Sequence, residues 1–78
     1  MFNADDIHER IHQRPFRPLR VVTSSGETYD VYHPNLIMVG RRELTVGIPS
    51  AENPTHYDRP VRIVITHVTA LHDLPAAE

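Results

Sequence analysis

PFRPLRVVTSSGETYDVYHPNLIMVG, residues 15–40, decides the fold. Leu19–Thr23 alternates, with Leu19, Val21 and Thr23 on one face and Arg20 and Val22 on the other, the period of a half-buried strand. Ser24-Ser25-Gly26 is hairpin chemistry, because Gly26 can take a positive φ. Glu27–His33 resumes the alternation and sets Thr28, Asp30 and Tyr32 against Tyr29, Val31 and His33. Pro34 cannot donate to a ladder and Asn35 tolerates the left-handed region, so His33-Pro34-Asn35 reads as a bend. Leu36–Val39 is apolar on both faces, as in the interior of a closed structure. Gly40 marks the next turn.

Outward from this stretch, Asn3-Ala4-Asp5-Asp6 predicts a helix start, with Asn3 as N-cap and acids in the first turn. Ile7 and Ile11 stand one turn apart on the same face. Pro15 ends the helix, which spans about 3–14. So short a helix is marginal alone and must dock its isoleucine stripe. Downstream, Glu43–Ile48 alternates again with Leu44, Val46 and Ile48 inward. PSAENPTHYDRP, residues 49–60, holds three prolines and predicts a long exposed loop. Val61–Val68 is strongly β-branched and predicts a strand, Thr69–Leu74 a short apolar strand or turn, and Pro75–Glu78 a fraying tail. The expectation is one domain over residues 1–78: a small five-stranded antiparallel barrel of the SH3-like or Sm-like kind, about 16–74, with an N-terminal helix.

Composition narrows function more by exclusion than by assignment. Seventy-eight residues hold one core, and a chain of that size buries only about 60% of its unfolded surface. There is no cysteine and therefore no disulfide. The polar, acidic N-terminus has no signal-peptide core, and no apolar run approaches the roughly 20 residues of a membrane span, so a cytoplasmic location is expected. A formal net charge of −2 argues against strong non-specific nucleic-acid affinity. All eight basic residues are arginine, and Arg10, Arg14, Arg17 and Arg20 share one window without an acid. Arginine suits bidentate anion contacts and stacking, but a solvated surface explains the same window.

His8-Glu9-Arg10-Ile11-His12 matches H-E-x-x-H, which on a helix puts two histidines on one face as metal ligands. Its place on an exposed terminal helix, with no third ligand and no cleft, points to a solvated face. Catalytic residues and a cofactor are not expected. Ser24, Ser25 and Ser50 lie in turns without a nucleophile elbow, and no phosphate-cradling glycine loop occurs. Phe16 and Tyr29 read as core. Tyr32 and Tyr57 read as contact residues.

The order helix, strand, glycine hairpin, strand, bend and further short strands resembles the Sm-like fold, most closely its bacterial Hfq branch. Gly26 matches the hairpin glycine of the first motif, Asn35 the polar loop site, and His67 the histidine of the second. Ile65 and Thr66 stand where that motif carries an RNA-contacting aromatic and lysine. Arg14-Pro15-Phe16-Arg17-Pro18, the Gly26 turn and Val31-x-His33-Pro34 also resemble a set of short bacterial proteins, common in planctomycetes, to which no activity is assigned. There Leu19 and Ser25 replace a phenylalanine and an aspartate. The combined expectation is a non-catalytic module that forms homo-oligomers or binds a protein, by pairing of edge strands such as Leu36–Val39 or Val61–Val68. The alternative, implied by the Hfq likeness, is an RNA-binding ring using Arg14, Arg17, Arg20, Tyr32 and His67. His8 and His12 are the candidate metal pair.

Overall fold

In a computed structural model, which describes residues 2–75, the chain is mainly β with one helix. Helix α1 is Ala4–Ile11, and the strands are β1 Leu19–Thr23, β2 Thr28–Val31, β3 Ile37–Val39, β4 Glu43–Pro49, β5 Tyr57–Val64 and β6 Val68–Asp73. They form two antiparallel three-stranded sheets, ordered β2-β1-β6 and β3-β4-β5. The expected five-stranded closed barrel is therefore corrected to six strands in two sheets, each with two edges. Two 3-10 turns divide the strands, the first of them at the bend the sequence predicts. Pro34–Leu36 separates β2 from β3, and Ile65–His67 separates β5 from β6. The second turn cuts the run that reads as one strand, because Ile65 turns inward to the core while its N–H donates 2.9 Å to the Arg42 carbonyl.

α1 starts where the sequence places it. The Asp6 N–H donates to Asn3 Oδ1 at 2.9 Å, and the Asn3 N–H donates to Asp6 Oδ2 at 3.2 Å, a reciprocal cap. It ends at Ile11 and not near residue 14, with His12 as C-cap. Ile7 and Ile11 are buried, and α1 packs against β3. The core joins them to Leu19, Val21, Val31, Leu36, Ile37, Leu44, Val46, Ile63, Ile65 and Val68 from both sheets, with Phe16 and Tyr29 half-buried against it. The hairpin turn is as expected, with Gly26 at φ 88°.

The exposed loop expected over 49–60 shortens to 50–56. β4 runs through Pro49, and Tyr57–Pro60 pairs with it as the start of β5, across a register shift at Ile48/Pro49. The connection is ordered by its own side chains. Asn53 Oδ1 accepts from the Thr55 N–H at 3.1 Å and from Thr55 Oγ1 at 2.7 Å, while the Asn35 amide donates to the Thr55 carbonyl. No helix among the described residues is long and apolar enough to cross a membrane. The fraying expected of the tail concerns residues 76–78, which lie outside the described residues.

Candidate assembly interface

The sheet β3-β4-β5 turns one face to the core and one to solvent. Val39, Leu44 and Ile63 stand side by side in register on the inner face, as do Ile37, Val46 and Val61. On the outer face the rows are Met38–Thr45–Arg62, Glu43–Val64 and Gly47–Pro60. Three large apolar side chains on this sheet stay in water: Met38 is 67% exposed, Tyr57 57% and Val64 46%. Tyr57 folds over Gly47, and together with Asn35, Met38, Thr45 and Pro60 it lines a shallow apolar groove. Arg62 donates to Glu43 Oε1 at 2.5 Å, diagonally across β4 and β5. That bond and the adjacent carboxylate raise the arginine's pKa further above its usual value.

The edges of the two sheets are not alike. β3 is three residues long and has α1 packed beside it. β2 is four residues long and β6 six, whereas β5 offers eight. Ladder alternation fixes which backbone groups β5 presents. Ile65 N–H bonds Arg42, so residues 65, 63 and 61 face β4, and 64, 62, 60 and 58 point to the open side. Pro60 therefore points its nitrogen outward, where no ladder bond is lost; this is how a strand can contain proline at all. The free edge carries the N–H groups of Arg62 and Val64 at its C-terminal end and a gap at Pro60.

The five residues expected to bind do not converge. Arg20 forms a bidentate pair with Asp30, at 2.7 and 3.1 Å, across the β1–β2 register. Arg17 bonds Gln13 Oε1 and lies 3.8 Å from Asp73, which also receives Arg10 at 2.5 Å. Arg14 is exposed and donates to the Gln13 carbonyl. Tyr32 sits beyond the end of β2 beside His33, Leu36, Pro49 and Pro54. His67 lies at the opposite, hairpin end, lining a cleft with Thr23, Ser25, Glu27 and the β5 edge. His8 and His12 stack with ring centroids 3.9 Å apart and planes 21° apart. Their nitrogen lone pairs lie in the ring planes and so run side by side instead of converging on one ion. No three metal-ligating side chains of the His, Cys, Asp and Glu types gather among the described residues.

The sequence singles out Tyr57 as a contact residue and Val61–Val68 and Leu36–Val39 as pairing edges, the segments that hold Arg62, Val64 and Met38. It does not single out Glu43, and it places Tyr57–Pro60 in a loop and not on the edge strand. The available signal was Pro60 inside Tyr57–Val64, since a proline within a strand marks an edge. The chain matches no known family model, no curated protein and no solved structure.

Two carboxylates carry a pH prediction. The Arg20 hydrogen bonds hold Asp30 below its ordinary pKa, and the Arg10 hydrogen bond does the same for Asp73. A carboxylate with a depressed folded-state pKa stabilises above its unfolded value of about 3.9, and that stabilisation is lost as pH falls through the lower folded value. The melting temperature is expected to be level above about pH 5 and to drop below about pH 4. Asp30→Asn with Asp73→Asn should flatten that drop; an equally steep fall in the double variant would show that other groups control acid unfolding.

Proposed function

We propose that this chain is a non-catalytic assembly module that associates with itself through the sheet β3-β4-β5. The observation that carries the reading is the coincidence on one sheet of an edge strand, β5, that presents the N–H groups of Arg62 and Val64, and three water-exposed apolar side chains, Met38, Tyr57 and Val64. An open edge is a template for another strand, and a neighbouring apolar face adds the non-directional part of the association. A domain this small gains margin by self-association, because its single core buries a limited share of its surface. Short antiparallel strands in two sheets behind one N-terminal helix support reading the fold as an opened relative of SH3-like and Sm-like barrels.

The RNA-binding ring has less behind it. Arg10, Arg17, Arg20 and Arg62 each meet an acid, and His67 stands apart from Tyr32. Native mass by light scattering over a concentration series tests the proposal. Association is expected. A chain of 8.9 kDa at every concentration would overturn it, and a mass that rises only with added single-stranded RNA would favour the ring.

A further inference from the structure

We infer that β5 pairs antiparallel with β5 of a second copy, about a two-fold axis at Ile63, with Glu43 and Arg62 closing the joint. The inference rests on the assembly reading and names its geometry. In an antiparallel ladder, residues that exchange both hydrogen bonds project their side chains to the same side. The outward-pointing positions of β5, Arg62 and Val64, project to the solvent face.

Those of β6 do not. The Leu74 N–H bonds the Pro18 carbonyl, so 74, 72 and 70 face β1, and Leu71 and Asp73 point to the open side. Leu71 stands in register with the buried Val21, on the core side. Joining β5 of one copy to β6 of the next would align a solvent face with a core face. Joining β5 to β5 keeps like with like, and symmetry makes the patch self-complementary.

Pro60 then selects the register. With the axis at Arg62, two like charges face each other and both Val64 carbonyls meet Pro60, which has no donor. With the axis at Val61, both Arg62 carbonyls meet Pro60. With the axis at Ile63, Arg62 pairs with the second copy's Val64 and the reverse. Four backbone hydrogen bonds form, and none asks for the missing N–H.

The side chains agree with that register. Glu43 lies opposite Val64 in β4–β5, so each solvent-face row reads Glu43, Val64, then Arg62 and Thr45 of the second copy. Two strand spacings, about 10 Å, separate Glu43 from that arginine at the Cα level, within reach of its long side chain. The stem crosses Val64, covering a side chain that is 46% exposed, and the head exchanges the Glu43 of its own chain for the opposite carboxylate. Two acids and two arginines alternate across the joint.

Val64→Pro is the decisive variant. Val64 has φ −68° and ψ 130°, which proline adopts without strain, and its N–H points away from β4. The variant should fold, melt as wild type does at dilutions where both are monomeric, and stay at 8.9 kDa at concentrations where wild type reaches twice that. Glu43→Arg and Arg62→Glu should each be monomeric alone. Mixed one to one, they should form a heterodimer by native mass spectrometry, because each row then carries opposite charges.

Wild-type dimers that survive Val64→Pro, an assembly larger than two, or a mixture that stays monomeric would overturn the β5 joint. The first two would leave the self-association reading standing. A wild-type monomer up to about 1 mM would overturn both.

Discussion

Leu44→Ala should cost about 3–4 kcal/mol, the range for removing a fully buried leucine whose surroundings cannot collapse into the space. Leu44 is wholly buried on β4, the middle strand of its sheet, with Val39 and Ile63 on either side in register. Each neighbour is held by its own ladder, so the sheet cannot close over the vacancy. Small domains hold about 5–15 kcal/mol in all, and the loss should lower the melting temperature by roughly 15 °C or more. Met38→Ala is the control on the same sheet. Its side chain is 67% exposed, and the expected change is within about 0.5 kcal/mol. Equal melting temperatures for the two variants, by calorimetry, would contradict the assignment of core and solvent faces.

Gly47→Ala is expected to destabilise by about 1–3 kcal/mol, although the residue lies in a strand where added chain stiffness helps. Gly47 has no positive φ, so the alanine backbone is allowed, and a compatible Gly→Ala exchange gains about 0.4–1 kcal/mol from the unfolded state. The clash outweighs that gain. A Cβ on residue 47 would stand 2.7 Å from the Cβ of Tyr57 and 3.1 Å from its Cγ. Tyr57 cannot answer by rotating, because its own Cβ is part of the obstacle; the start of β5 must move. Tyr57→Gly removes the obstacle, so Gly47→Ala in that background should be neutral or mildly stabilising. A double-mutant cycle by chemical denaturation checks this. A Gly47→Ala penalty that is unchanged by Tyr57→Gly would place its cause elsewhere.

Gly47 and Tyr57 also show where the sequence stops being legible. Tyr57–Pro60 reads as loop because its proline and polar residues carry no apolar period. It becomes strand through β4, which supplies a ladder on one side only, the side Pro60 does not need. Val61–Val68 reads as one strand because every β-branched residue in it suits one. The turn at Ile65 is set by the Arg42 carbonyl and by core packing, neither of which is local.

By contrast, Leu19–Thr23, the Gly26 turn and the α1 cap depend on neighbours within a few residues, and all three stand where the sequence puts them. Arg20 and Asp30 could have been paired from the hairpin register. Arg10 and Asp73, 63 residues apart, could not. The arginines clustered in sequence thus part in space: Arg10 and Arg17 share Asp73, Arg20 takes Asp30 and Arg14 donates to the Gln13 carbonyl. The sequence offers both Leu36–Val39 and Val61–Val68 as edges, and only the strand order of the whole sheet shows what lies beside each of them.

The most direct test of the account is the native mass of the wild-type chain, by light scattering or sedimentation equilibrium, from dilute to concentrated protein. The account predicts a concentration-dependent approach to twice 8.9 kDa, without added ligand or nucleic acid. A mass fixed at 8.9 kDa throughout would contradict it.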